Sequence, residues 1–223
     1  MYAYGLNQAI LGRLIEVISG QTFYDFLKEN IFDKLEMHDT KFHLTDEERL
    51  RLQPLRVNIK PNSVFNQTEY NLDGYTIALD GYSYREDNKA HFGGEGLVST
   101  MNDFSRFCEM LVNDGVYNQE RVLSSESIKT MTSKYTNGYP DPDEPGVFPD
   151  LAGYYLGFTF SVLENQDIDG TGAGVGSYGW SGYHNTHFWI DPQNKMYGLF
   201  MSRAIEFDFG IPAGLKKATY LKF

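Results

Sequence analysis

Between Tyr178 and Ser202 the chain carries the pattern that most restricts its fold. Tyr178-Gly-Trp-Ser-Gly182 leads into the alternating residues Thr186, Phe188 and Ile190, Asp191-Pro192 stops the run, and Met196–Ser202 resumes it at hairpin distance. Residues that alternate with a period of two line opposite faces of a strand, so the segment predicts two antiparallel strands. Glycine inside such a pattern weakens the strand unless a bulge or a close approach requires it. On this pattern alone two readings stand: a hairpin with awkward glycines, and a backbone edge that a ligand approaches.

What precedes this region is helical in character. Ala9, Ile10, Leu14, Val17 and Ile18 fall at helical spacing, and Gly20 stands where a C-cap belongs, which predicts a helix over 6–18 with a buried apolar face. Thr22 starts a second helix whose inward stripe is Phe23, Phe26, Leu27 and Ile31 and which ends near Asp33, giving a helical hairpin. Asp46–Leu52 reads as one or two charged helical turns, and most of 44–88 as a long, loop-rich excursion of the kind that rims a site. Ser99 is a candidate cap for a helix over 102–112 that Gly115 ends, and Ser124 or Ser125 caps another over 126–133. Residues 139–149, with four prolines, read as a surface loop. Tyr154–Leu163 reads as one strand, 164–176 as a glycine-rich turn and 213–221 as a terminal helix. Helices followed by consecutive strands predict an α+β fold, an antiparallel sheet with flanking helices plus a helical lobe. The expected division is a mainly helical lobe over 1–150 and the strands with the C-terminal helix over 151–223.

Composition narrows the function. With 223 residues, 41% of them hydrophobic, the chain can bury a core as one large domain or two lobes. A net charge of -11 without a Lys/Arg stripe argues against a nucleic-acid partner. No apolar run approaches the roughly 18 residues that span a bilayer, and Met1 opens no signal-peptide pattern. The single cysteine, Cys108, lies in the apolar run Phe104, Phe107, Leu111 and reads as core. His184 and His187, three apart on a strand, point to opposite faces, and with His91 they lack the Cys or carboxylate company of a zinc site, so no metal and no cofactor is expected. Asp167-Ile-Asp169-Gly170 starts like a calcium loop but lacks its closing Glu.

Four segments, in order, resemble the serine β-lactamase and penicillin-binding-protein superfamily, especially its esterase-like and class C-like members. Tyr4-Gly5-Leu6 with the helix after it is similar to the family's tyrosine motif, and Ile31–Thr40 to its PLGM-x-x-T segment, with Lys34 and Glu36 departing from the usual Pro and Gly. Gly93–Thr100 with Asp103 and Phe104 resembles the glycine-rich lead into a family helix. Trp180-Ser181-Gly182, backed by Phe188–Pro192, resembles the third motif. The resemblance implies a β-lactamase/transpeptidase-like fold, present here in part, and an acyl-enzyme mechanism on a small-molecule ester or amide substrate. It implies that Tyr4 acts as base or proton shuttle, that Trp180 walls the pocket, that Ser181 hydrogen-bonds substrate, and that the amide of Tyr183, after Gly182, donates to the oxyanion. Without the resemblance Tyr4 is one of 16 tyrosines and reads as an interfacial or core residue. Leu6, where lactamases carry Asn, favours an esterase-like pocket. Family members are often exported to the periplasm or secreted; the residues themselves assign no compartment.

The family's nucleophile is a serine three residues before a lysine, and no Ser-x-x-Lys occurs in the 223 residues. The expectation is a chain N-terminally truncated just before the tyrosine motif and inactive alone. Its attacking serine would then come from an upstream N-terminal segment. Two alternatives stand beside it: an inactive pocket protein that binds a peptide or glycan, and a fragment that self-associates to cover an exposed core.

Overall fold

The computed structural model describes residues 6–57, 75–76, 84, 91–135, 151–205 and 210–221. In chain order the elements are α1 (Asn7–Ser19), α2 (Phe23–Leu27, continued by a π-helical turn over Lys28–Phe32), α3 (Asp46–Arg49), β1 (Leu55–Val57) and β2 (Tyr75–Thr76). They continue with α4 (Met101–Val112), β3 (Val116–Tyr117), β4 (Glu120–Arg121), α5 (Ser125–Thr132), β5 (Tyr154–Leu156), β6 (Ser161–Leu163) and α6 (Gln166–Asp169). The last are β7 (Tyr178–Gly182), β8 (Thr186–Asp191), β9 (Met196–Phe200), β10 (Ala204–Ile205) and α7 (Gly210–Tyr220). The fold is α+β, as the order of helical and strand patterns predicts. The chain forms two compact units, residues 1–104 with 203–206, and residues 105–202 with 207–223.

In the first unit, Gly20 ends α1 in the left-handed conformation at φ 73, its N–H donating to the Glu16 carbonyl. Thr22 caps α2 by accepting from the Asp25 amide, and Glu16 Oε1 accepts from the Phe23 amide at 3.1 Å, tying the two helices together. One expectation fails here. The apolar stripe of α1 is not a buried face: Ile10, Leu14, Val17 and Ile18 are exposed, and Gly12 is the one buried residue of the helix. The helix packs through its glycine rather than its aliphatic side chains, because at Gly12 the backbone comes close enough that a Cβ would lie 3.3 Å from the Gly93 nitrogen.

Two of the motif segments meet in this unit. Asp103, buried in the first turn of α4, accepts from the Asp39 amide at 2.8 Å and from Thr40 Oγ1 at 2.9 Å. Thr40 Oγ1 also bonds Ser99 Oγ, and Lys41 pairs with Val98 as an isolated antiparallel bridge. The cap of α4 is therefore Thr100, whose Oγ1 accepts from the Asp103 amide, and not Ser99, which is occupied by Thr40. Much of the excursion after residue 44 lies outside the described residues; those described hold some regular structure. Thr45 and Glu48 form a capping box on α3, β1 pairs antiparallel with β2, and β10 joins β1 in parallel.

The second unit is built on a five-stranded antiparallel sheet in the order β5-β6-β7-β8-β9 and also holds a separate β3-β4 hairpin. Tyr154–Leu163, expected as one strand, is a hairpin of β5 and β6, and Tyr178–Ser202, expected as two, holds three. The period-two pattern continues through tight turns, so it does not reveal where the chain reverses. Val162, Leu163, Tyr178, Trp189 and Ile190 are buried in the sheet. Cys108 is fully buried, its thiol pushed up to about 12 by desolvation, in keeping with a packing role. The C-terminal helix is anchored by Tyr220, whose hydroxyl donates to Asp191 Oδ2 at 2.7 Å. Lys216 Nζ donates to Tyr154 Oη at 3.0 Å, and Tyr154 in turn donates to Asp169 Oδ1 at 2.6 Å. Asp169, of the calcium-like sequence, thus holds a turn through hydrogen bonds. The proline-rich loop over 139–149 lies outside the described residues.

Candidate active site

The third motif occupies β7, and the two ladders of that strand differ in length. Pairing with β6 covers Val162↔Tyr178 and Ser161↔Gly179, whereas pairing with β8 continues through Trp180↔Phe188, Ser181↔His187 and Gly182↔Thr186. Trp180, Ser181 and Gly182 therefore extend past the end of β6, on a stretch of strand edge that the β6 ladder does not reach. An edge of this kind can take an extended or planar acyl group alongside backbone, as one more strand would lie.

Alternation places Trp180 and Gly182 on one face of β7 and Ser181 on the other. Ser181 faces its cross-strand neighbour, and its Oγ lies 2.7 Å from His187 Nδ1. His187 is buried, its ring 6.2 Å from that of Phe200, while Ser181 is partly exposed. Either partner can donate, depending on the imidazole tautomer, so the pair can present a hydroxyl as donor or acceptor. At Gly182 a Cβ would lie 2.3 Å from Thr186 Oγ1, so a side chain there would make the threonine hydroxyl turn away.

Tyr183, His184 and Asn185 form the turn from β7 to β8. The Asn185 amide donates to the Gly182 carbonyl at 3.0 Å, and Asn185 itself takes φ 59, the geometry of a type I turn followed by a left-handed residue. Asn beyond a type I turn tolerates that conformation better than most residues. Ser202 Oγ lies 3.0 Å from both the His184 and Asn185 carbonyls and fastens the turn from outside. The side chain of Tyr183 is exposed.

The site residues inferred from sequence thus divide. Trp180, Ser181, Gly182 and Tyr183 lie together at one corner of the sheet, with Trp180 and Ser181 on opposite faces. Tyr4 lies outside the described residues; α1 starts three residues after it. Sequence reasoning missed the partners of this corner: His187, Asn185 and Ser202. A signal for His187 existed, because a three-residue turn ending on Asn185 sets the register that puts it opposite Ser181. Nothing in the sequence pointed to Ser202. Among the described residues no group of three His, Cys, Asp or Glu side chains is arranged to hold a metal ion. No helix among them is long and apolar enough to cross a membrane.

Lovastatin esterase of Penicillium rubens is 26% identical over 215 residues, which are 92% of this chain and 50% of that protein. Among solved structures, EstCE1, a hydrolase with promiscuous acyltransferase activity, superposes with a TM-score of 0.74 at 17% identity, covering 97% of this chain and 55% of that one. Simvastatin synthase (LovD) of Aspergillus terreus superposes with a TM-score of 0.73 at 19% identity, covering 99% and 55%. The chain spans about half the length of the curated relatives it matches. At these identities the structures speak for the fold alone. The sequence profile of the family described as Beta-lactamase matches residues 2–207, nearly the whole sequence, and the chain belongs to that family.

Proposed function

We propose that this chain supplies the tyrosine and the substrate-facing strand of a serine hydrolase of the β-lactamase family, acting on small esters or amides through an acyl-enzyme. The attacking serine and its lysine come from a segment outside this sequence. The observation that carries the reading is the position of Trp180-Ser181-Gly182 on β7, past the end of the β6 ladder, in a chain that belongs to the family. Lovastatin esterase, 26% identical over 92% of this chain, favours esters over lactams. In this reading Tyr4 is the proton shuttle, Trp180 walls the pocket, Ser181 hydrogen-bonds substrate and the Tyr183 amide donates to the oxyanion.

The absence of Ser-x-x-Lys from the sequence favours a second reading, a pocket protein that binds a peptide or glycan without turnover. Sequencing the coding region upstream of Met1 separates the two. An in-frame Ser-x-x-Lys there, with hydrolysis of p-nitrophenyl acetate in preference to nitrocefin by the longer chain and loss of that activity in Tyr4→Phe, supports the first. A stop codon immediately upstream, or a longer chain inert to both substrates, contradicts it.

A further inference from the structure

Helix α1 turns its apolar side away from the unit it belongs to. At about 100° per residue, Leu6, Ile10, Leu11, Leu14, Val17 and Ile18 fall within an arc of about 140°, and Gly12, the residue packed against Gly93, falls roughly opposite its centre. The six aliphatic residues are 49–78% exposed. Asn7 is the one other residue in the arc, so no charged side chain lies on it. An ordinary surface helix presents an apolar stripe of this width to its own core, and here the stripe faces outward.

Exposure of that degree amounts to about four whole aliphatic side chains, or about 400 Å² at roughly 100 Å² apiece. A monomer seldom exposes a continuous apolar patch beyond a few hundred Å². A standard interface takes about 800 Å² from each partner, rather more than half of it apolar, so α1 alone supplies most of the apolar share. The order of the residues fits a second copy. Leu6, Ile10, Leu14 and Ile18 form a row, spaced four apart, that is apolar read from either end. Laid antiparallel on its copy about the level of Gly12, the row sets Leu6 against Ile18 and Ile10 against Leu14, and rows of this spacing interdigitate in the commonest class of helix packing. Each copy then offers the same patch, and the pair closes. We propose that the outward face of α1 is the interface of a twofold dimer of this chain.

Two other occupants fit this face less well. A helix that lies on a lipid surface carries Lys and Arg along its polar side. In α1 the one such residue is Arg13, paired with Glu16 at 2.7 Å, in a chain of net charge -11. A covering segment of a longer chain, such as the relatives possess, would leave the end-to-end match of the row without a reason. Charge also sets a condition on the dimer. Each copy brings a net charge of -11, so the two repel at a distance while apolar surface holds them, and added salt should tighten the pair.

The test is sedimentation velocity of the purified full chain from about 1 to about 200 µM, since the population of a dimer follows concentration. The expected result is a single transition from one copy to two, moved to lower concentration by salt. Ile10→Glu places a carboxylate on the shared face twice, once from each copy, and should weaken association at least about 100-fold. Leu50→Glu, at an 87% exposed leucine outside α1, should associate as the parent does. Far-UV circular dichroism shows whether Ile10→Glu keeps its helices. Should it lose them, Ile10→Cys and Leu14→Cys chains mixed under mild oxidation decide: mixed disulfide dimers must outnumber those that either chain forms with itself. A parent that stays single at the highest concentration overturns the proposal, whether lipid vesicles or a further segment of a longer chain then covers the face. So does association that continues past two copies, or that Ile10→Glu leaves unchanged. No ester need be turned over, so this outcome stands apart from that of the acyl-transfer reading.

Discussion

Ser181 and His187 face each other across β7 and β8 with Oγ and Nδ1 2.7 Å apart, and the contact joins a partly exposed hydroxyl to a buried imidazole. Removing the hydroxyl takes one hydrogen bond from a buried ring, which costs about 1–3 kcal/mol. Ser181→Ala should lower the urea midpoint accordingly with an unchanged m-value. A shift too small to measure would show that the contact contributes nothing to the fold.

Among the described glycines of the first unit, Gly93 leaves the least room for a side chain. Adding a methyl group 2.1 Å from the Gln8 carbonyl forces the loop or α1 to move, since both neighbours are backbone. Gly93→Ala should destabilise by about 1–3 kcal/mol, the usual range for overpacking. Gly170→Ala, with open space around it but φ 63, should lose less, about 1 kcal/mol from the conformation alone. Thermal unfolding of the two variants beside the parent ranks them, and the reverse order would contradict the contact on α1.

Asp191 anchors the C-terminal helix from a fully buried position. Burial pushes its carboxyl up, but donors from the Asn194 side chain, Tyr220, and the Asn194 and Gly174 amides outweigh that, and the net direction is below the usual carboxylate range. The folded state therefore holds on to the charged form. Stability from this group is fully present above the unfolded value near about 3.9 and is lost as pH falls through the lower folded value. Asp191→Asn should remove about 1–3 kcal/mol at pH 7 and flatten the acid limb of stability against pH below about 4. Urea midpoints measured at pH 7, 4 and 3 check both; equal losses at all three would contradict it.

Cys108 offers a probe of the second unit. Its thiol is fully buried and pushed up to about 12, so at pH 8 the thiolate is scarce and out of reach. Labelling by a disulfide reagent should be at least about 100-fold slower in the native chain than in urea, a ratio that reports opening of the core. Comparable rates in both would place the cysteine at the surface.

The helical caps at Gly20, Thr22 and Ser124 were legible from the sequence because each is a local event between neighbouring residues. The exposed stripe on α1 was not, since periodicity marks which face is apolar without saying whether anything covers it. Strand number was misread at 154–163 and 178–202 because turns such as Tyr183–Asn185 preserve the alternation on both sides. Trp180–Tyr183 stood out in the sequence through its glycines and its resemblance to a motif, and the structure puts these residues at one corner of the sheet. Its supporting groups, His187 and Ser202, depend on register and on contacts between residues far apart in sequence, which no local pattern encodes. The bond from Asp103 to Thr40 was invisible for the same reason, although both residues lie in recognised motifs.

The central claim is that this chain carries the substrate-facing half of an acyl-transfer site without its attacking serine. The most direct measurement is the intact mass of the purified chain after incubation with a fluorophosphonate and, separately, with penicillin. The account predicts an unchanged mass with both; one adduct per chain, mapped to any serine of the sequence, would contradict it.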